Sequence, residues 1–192
     1  MRPPDPLEAV AAVASAFDVL GVRWYVGGSV ASSARGLARA SLDVDVVADL
    51  CPGHATPFVA RLRDTFYASE EAVAEAIRTR GSFNVIHLPT GMKVDVFVLP
   101  DRSFDRQALE RAVAEPLDAE GSGPRYPVAT AEDVVLAKLD WFRLGGETSE
   151  RQWGDVLGVL RTSGPSIDTR YLEATAGSLG LSELLRRALA EA

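Results

Sequence analysis

Three aspartates lie in valine-rich segments whose pattern is typical of β-strands. Asp43 and Asp45 alternate with valines in one segment, and Asp95 lies between valines in another. Because side chains along a strand alternate between its two faces, Asp43 and Asp45 point to the same face. Carboxylates crowded on one face repel one another unless cations lie between them. Three carboxylates on neighbouring strands can hold two Mg²⁺ ions about 3.5–4 Å apart, and Mn²⁺ is a second candidate ion.

A glycine-rich turn precedes the first acidic segment. Gly27, Gly28 and Ser29 follow a short apolar segment and precede a short helical one, so the turn joins a strand to a helix. The backbone N–H groups at such a turn can bind a phosphate. Either motif alone occurs in many proteins. Only the combination of a phosphate-binding turn with metal-binding carboxylates predicts chemistry on a phosphorylated substrate.

Composition limits the class of protein. The chain has 192 residues, enough for one domain with a helical extension, and its 47% hydrophobic content is ordinary for a globular protein. No apolar segment reaches the roughly 20 residues that span a bilayer, and the first residues lack the apolar core of a signal peptide, so we expect a cytoplasmic protein without membrane association. The net charge of −7 argues against tight, nonspecific binding of nucleic acid.

The hydrophobic periodicity predicts an α/β fold of the α+β type, in which helices flank a mixed sheet and a helical part follows. Helices are predicted at residues 7–20, 29–35, 56–66, 69–79, 104–111, 131–144, 150–161 and 168–190. Strands are predicted at residues 23–26, 42–48, 82–88, 92–99, 112–117 and 125–128. A boundary near residue 130 divides the part with the acidic segments, residues 1–129, from a helical subdomain, residues 130–192, packed on it.

The basic residues are almost all arginines. Of 20 basic residues, only Lys93 and Lys138 are lysines, so these two are candidates for positions where arginine does not fit. The helical neighbours of Lys138 are mainly apolar, which predicts that its ammonium either reaches solvent or pairs with a buried group. A triphosphate and the carboxylate of Asp155 are two open alternatives for that partner. We assign no role to Lys93 from the sequence.

Two arginines lie between the glycine turn and the acids. Arg35 and Arg39 are candidate phosphate contacts, and Arg39 is the stronger candidate because it lies closer to the acidic segment. An ion pair between Arg39 and Asp43 or Asp45 is the alternative.

The motif and its spacing resemble a known superfamily. The stretch from Gly27-Gly28-Ser29 to Asp43-Val44-Asp45, together with Asp95, resembles the nucleotidyltransferases related to polymerase β. Residues 39–45 resemble the small bacterial branch that includes abortive-infection toxins of toxin–antitoxin pairs. Those proteins carry a lysine near the start of a helical C-terminal part and an aspartate in the next helix, where this chain has Lys138 and Asp155. The resemblance covers about residues 23–160.

The resemblance implies a role for each motif residue. Asp43 and Asp45 would bind both metal ions, whereas Asp95 would bind only the catalytic ion and help to deprotonate the attacking hydroxyl. Residues 27–29 would form the nucleotide-binding turn, in which Gly28 and Ser29 hold the β- and γ-phosphates.

The implied reaction transfers a nucleoside monophosphate from an NTP to an acceptor hydroxyl. The toxin-like branch favours RNA or a protein as acceptor, with a cognate antitoxin protein as a further partner, while the acidic composition weakens the case for RNA. A small molecule such as an aminoglycoside is an alternative acceptor. A second alternative is an inactive scaffold that binds a nucleotide or a partner protein, although the three retained acids argue against it.

Overall fold

The strands of the chain form one mixed sheet. The computed structural model describes residues 6–35, 43–118 and 121–192. Its strands are β1 (Trp24–Val26), β2 (Asp43–Ala48), β3 (Phe66–Tyr67), β4 (Ser82–His87), β5 (Lys93–Val98), β6 (Val113–Pro116) and β7 (Arg125–Val128). They form a seven-stranded sheet in the order β3-β4-β5-β2-β1-β7-β6. Strand β2 runs parallel to β5 and antiparallel to β1, which places the two acidic strands side by side.

Helices precede, interrupt and follow these strands. They are α1 (Pro6–Leu20), α2 (Gly28–Arg35), α3 (Ala55–Leu62), α4 (Glu70–Thr79), α5 (Ser103–Arg111), α6 (Ala131–Leu144), α7 (Glu150–Ser163), α8 (Thr169–Leu179) and α9 (Ser182–Glu191). Two 3₁₀ turns lie at Pro52–His54 and Gly164–Ser166. Within the described ranges, no helix combines the length and the apolar character needed to cross a membrane.

The predicted fold class, a mixed sheet with flanking helices and a helical C-terminal part, is confirmed. The N-caps of the two helices after the sheet also follow the sequence. The Thr130 hydroxyl accepts a hydrogen bond from the backbone N–H of Asp133, and the Ser149 hydroxyl accepts one from the N–H of Gln152. Both caps satisfy a backbone donor that a helix N-terminus would otherwise leave unpaired.

Two predicted helices were wrong in their extent. The helix predicted at residues 56–66 ends at Leu62, and Phe66–Tyr67 instead forms a short strand that pairs with β4. The helix predicted at residues 168–190 is two helices, because Gly180 has a φ of 68° and ends α8 in the left-handed conformation. Glycine adopts this conformation without the steric cost that a side chain would add.

One hydrophobic core extends from the sheet into the C-terminal helices. On the sheet, Val44 and Val94 are fully buried beneath the acidic face. Phe17 of α1 stacks on Phe58 of α3 with 5.1 Å between ring centroids, and Leu136 of α6 belongs to the same buried cluster. The helical part therefore shares its apolar contacts with the sheet, and the boundary predicted near residue 130 stays a prediction.

A buried network of ion pairs connects α5, α6 and α8. Asp140 accepts hydrogen bonds from Arg102 and Arg143, both at 2.7 Å. Asp133 accepts hydrogen bonds from Arg111 at 3.1 Å and from the Tyr171 hydroxyl at 2.7 Å. Each of these buried carboxylates is thus matched by several donors, as the low dielectric of an interior requires.

Candidate active site

The acids predicted to bind metal ions lie next to one another on two parallel strands. In the register of β2 and β5, Asp45 lies opposite Asp95, and Asp43 lies opposite Lys93. Val44 between the two aspartates is buried, so Asp43 and Asp45 point away from the core. The strand alternation seen in the sequence therefore brings all three acids onto one face of the sheet.

The glycine turn packs directly against Asp45. The backbone N–H of Gly27 donates to the Asp45 carbonyl at 2.9 Å, and the backbone N–H of Ser29 donates to Asp45 Oδ2 at 3.1 Å. Gly28 has a φ of +54°, and a Cβ at this position would lie only 1.7 Å from Asp45 Oδ2. Glycine is therefore required at residue 28 for both its backbone conformation and the close approach of the carboxylate.

The surroundings of Asp45 favour its protonated form. Burial raises the pKa of the Asp45 carboxyl, and the negative charges of Asp95 and Asp43 raise it further. The Ser29 N–H and the Lys138 ammonium oppose this shift without cancelling it. A carboxylate that its neighbours do not fully neutralise is a favourable binding partner for an added cation.

Lys93 contacts two of the three acids. Its Nζ lies 2.9 Å from Asp95 Oδ2 and 3.8 Å from Asp43 Oδ2. The hydrogen bond to Asp95 is the main cause that raises the pKa of Lys93, and the charges of Asp95, Asp43 and Asp45 add to it. The sequence alone assigned this lysine no role, because its position beside Asp43 depends on the pairing of β2 with β5.

The same contacts explain the spacing of the acids. Within residues 6–35, 43–118 and 121–192, no group of three or more His, Cys, Asp and Glu side chains stands close enough together to hold a metal ion. Asp43 and Asp95 face the Lys93 ammonium, and Asp45 faces the Ser29 N–H. As hard oxygen donors on adjacent strands, the three acids have the ligand chemistry that Mg²⁺ prefers, and their joint binding of metal ions stays a prediction.

Lys138 pairs with Asp155 across helices α6 and α7. The Lys138 Nζ donates to Asp155 Oδ2 at 2.8 Å, and the lysine side chain is only 11% exposed. Of the two alternatives from the sequence, the ion pair is therefore present in the structure. The lysine charge also acts on Asp45, which places Lys138 at the edge of the acidic site. Its contact with a triphosphate stays a prediction.

A second contact from the helical part could not be predicted from the sequence. Arg151, in the first turn of α7, donates through Nη2 to the Ser29 hydroxyl at 3.1 Å, although the two residues are 122 positions apart. Arg151 is exposed, and in the described part of the chain it forms no ion pair with a carboxylate. Because an arginine at a helix N-terminus opposes the helix dipole, an anionic ligand at this position would stabilise it.

The architecture is similar to that of solved structures. The crystal structure of ANT(2″)-Ia in complex with adenylyl-2″-tobramycin has a TM-score of 0.56 at 12% identity, covering 90% of this chain and 95% of that chain. An antigenic nucleotidyltransferase-like protein from Paracoccidioides brasiliensis has a TM-score of 0.53 at 14% identity, covering 98% and 94%. The chain has the nucleotidyltransferase fold. The sequence itself matches no protein-family model and no curated protein.

The nucleotidyltransferase fold confirms the resemblance inferred from the motif at the level of architecture. A third similar structure, the solution structure of the antibiotic-resistance factor ANT(2″)-Ia, covers 95% of this chain and 91% of that chain with a TM-score of 0.51 at 14% identity. The roles of the individual site residues stay predictions. Arg39 lies outside the described residues, and Arg35 is the last residue of α2.

Proposed function

We propose that the chain is a metal-dependent nucleotidyltransferase, which transfers a nucleoside monophosphate from an NTP to an acceptor hydroxyl. The observation that carries this proposal is the placement of Asp43, Asp45 and Asp95 on one face of adjacent strands, with the Gly28–Ser29 turn packed against Asp45. This arrangement joins a phosphate-binding element to a set of metal-binding oxygens.

The triphosphate binds at the turn between β1 and α2 in this proposal. Residues 27–29 supply the turn, and the Ser29 hydroxyl and the Arg151 guanidinium meet at its edge. A guanidinium is well suited to phosphate because its planar fork donates two parallel hydrogen bonds. Lys138 adds a positive charge from α6, and its partner Asp155 fixes its position. Arg39 is retained as a further phosphate contact from the sequence prediction.

The three acids would hold the metal ions. Asp43 and Asp45 would bind both ions, and Asp95 would bind the catalytic one, as the resemblance implies. When bound, two Mg²⁺ ions stabilise the charge of the attacking and leaving oxygens. Asp95 accepts the proton of the acceptor hydroxyl, directly or through water. The new bond joins the acceptor oxygen to the α-phosphorus, the bond to the bridging oxygen of the β-phosphate breaks, and pyrophosphate leaves.

RNA or a protein is the first candidate acceptor. The toxin-like motif at residues 39–45 supports this choice, and it also suggests a cognate antitoxin protein as partner and a cytoplasmic setting. A net charge of −7 means that an RNA acceptor would be bound through few phosphate contacts.

A small-molecule acceptor is a second candidate. ANT(2″)-Ia, whose structure contains adenylyl-2″-tobramycin, is similar to this chain over almost the whole length of both proteins. An acidic protein is also more compatible with a cationic acceptor than with a polyanion such as RNA. An aminoglycoside-type acceptor therefore competes directly with RNA and protein.

One experiment tests the reaction and distinguishes the acceptors. The protein is incubated with Mg²⁺ and each labelled NTP in turn, together with RNA, protein or aminoglycosides, and pyrophosphate release is measured. Mass spectrometry of the three acceptor pools then identifies the modified molecule. The proposal predicts pyrophosphate release that depends on one of these acceptors. Binding of NTP without any release would instead support the inactive scaffold.

A further inference from the structure

The contact of Lys93 with the acidic site follows from the fold of the sheet. Lys93 and Asp43 are opposite each other in the parallel pair of β5 and β2, so their side chains extend from the same face. Asp95 is two residues further along the same strand and therefore also shares that face. The strand register therefore places the Lys93 ammonium among the carboxylates. Its position depends on the pairing of the backbone and not only on the rotamer of the lysine.

The two lysines of the chain are both found at this site. Lys93 contacts Asp43 and Asp95, and the positive charge of Lys138 acts on Asp45. All other basic residues are arginines. An ammonium is a compact charge on a flexible stem, whereas a guanidinium binds carboxylates through a rigid fork. Lysine is the residue that neutralises these acids and can still leave them.

We infer that Lys93 is an internal counter-ion of the empty site, so that divalent cations bind together with the nucleotide rather than before it. This inference rests on the proposed function, because it assumes that Asp43 and Asp95 bind metal ions. Without nucleotide, the Lys93 ammonium neutralises part of the negative charge of these acids and competes with a divalent cation for the same oxygens.

The nucleotide changes this balance. A triphosphate brings its own oxygen ligands for the metal ion and several negative charges, which give the displaced ammonium a new partner. Lys93 is 39% exposed, so its side chain has room to move away from Asp95. The metal ions and the NTP therefore assist each other's binding, and Lys93 makes the metal-binding step depend on the nucleotide.

The test measures metal binding directly, without turnover. Binding of Mn²⁺ is followed by electron paramagnetic resonance of the free ion, for wild type and for Lys93→Met, in the absence of nucleotide. Removing one positive charge next to two carboxylates is expected to strengthen Mn²⁺ binding about tenfold or more. Lys93→Arg keeps the charge but holds both carboxylates through its fork, and it is expected to bind Mn²⁺ no more tightly than wild type.

A matched control removes the same charge elsewhere. Arg23 forms an exposed ion pair with Asp49, 3.6 Å apart, beyond the other end of β2. Arg23→Met therefore changes the net charge as Lys93→Met does, and it is expected to bind Mn²⁺ like wild type. With a non-hydrolysable NTP analogue present, wild type is expected to bind Mn²⁺ more tightly, and its difference from Lys93→Met is expected to shrink to about threefold or less.

The outcomes separate this inference from the proposed function. In one outcome, wild type binds Mn²⁺ in the presence of the NTP analogue, but in the absence of nucleotide Lys93→Met binds Mn²⁺ no more tightly than wild type does. The counter-ion role of Lys93 is then wrong, and the metal site stands. An equal gain in Lys93→Met and Arg23→Met would also overturn the inference, because net charge would then explain it. If no variant binds Mn²⁺ under any condition, the proposed metal site fails and the inference fails with it.

Discussion

Two groups of aspartates in this molecule have opposite surroundings. The side chains of Asp133 and Asp140 are 2% and 5% exposed, and each accepts hydrogen bonds from arginine and from at least one further donor. Asp43 and Asp95 are 52% and 22% exposed and both contact the ammonium of Lys93. The first group connects helices, whereas the second lies on an accessible face of the sheet.

The difference shows how surroundings assign a role to the same side chain. A buried carboxylate with a full set of donors contributes to the fold, and removing it takes an acceptor from each of the arginines that bind it. A partly buried carboxylate among other acids destabilises the folded state through its lost hydration and through repulsion, and both raise the pKa of Asp45. In the proposed function this cost is offset by the metal ions that the acids bind.

The largest effect on stability is expected in the buried network. Asp133→Ala removes one of the partners of Arg111 and the carboxylate that accepts from the Tyr171 hydroxyl, and it should lower the free energy of unfolding by about 3–5 kcal/mol. Asp101 pairs with Arg106 at the surface, and Asp101→Ala should have a much smaller effect. Urea denaturation of both variants checks this contrast. Equal effects would show that burial does not distinguish the two groups of ion pairs.

The pair of Lys138 and Asp155 shares properties with both groups of aspartates. It is largely buried, and the charge of Lys138 also acts on Asp45. Lys138→Met and Asp155→Asn should each lower the free energy of unfolding by about 1–3 kcal/mol. Their affinities for NTP should distinguish the two variants. Lys138→Met loses the predicted phosphate contact and should bind NTP about tenfold more weakly, whereas Asp155→Asn keeps the ammonium and should bind within about threefold of wild type. Equal losses of affinity would assign Lys138 a purely structural role.

Arg151 belongs to the active site if it binds phosphate. Arg151→Ala should weaken NTP binding about tenfold and leave the midpoint of unfolding unchanged, since its contact with Ser29 is exposed. Arg170 is an exposed arginine at the same position of the next helix, α8, and Arg170→Ala should bind NTP like wild type. Isothermal titration with a non-hydrolysable NTP analogue measures both. The same affinity in the two variants would remove Arg151 from the site.

The smallest effect is a pH-dependent gain in stability. Because the pKa of Asp45 is raised in the folded state, its ionised form destabilises the fold, and this penalty disappears below the pKa of the unfolded chain. Asp45→Asn should therefore melt about 1–4 °C above wild type at pH 7 without divalent cations, and the gap should close as the pH falls towards about 4. Thermal unfolding followed by circular dichroism measures this gap. A gap that does not depend on pH would exclude the ionisation of Asp45 as its cause.

The sequence predicted the parts of the site that depend on local rules. The alternation of Asp43 and Asp45, the strand of Asp95 and the glycine turn all follow from patterns of a few residues. Lys93 could not be placed, because its contact with Asp43 depends on which strand lies beside β2. The contact between Arg151 and Ser29 likewise depends on how α7 packs against α2, which local periodicity does not determine.

The same distinction holds for the fold. The N-caps at Thr130 and Ser149 are local features, because a hydroxyl side chain at the start of a helix is enough to form them. The two-residue strand Phe66–Tyr67 exists only because β4 provides its partner, so no local pattern indicates it. Gly180 is a local signal for the end of a helix. It was missed because the apolar periodicity over residues 168–190 predicted a single helix.

In the proposed function the acids on the open face perform chemistry, whereas those in the buried network hold the fold. The decisive measurement compares wild type with Asp45→Asn. It records pyrophosphate release from an NTP with Mg²⁺ and an acceptor, together with the unfolding midpoint of each protein. The expected result is a loss of turnover of more than about a hundredfold with an equal or higher midpoint. Wild-type turnover in Asp45→Asn, or a loss that only follows the fraction of unfolded protein, would contradict the claim.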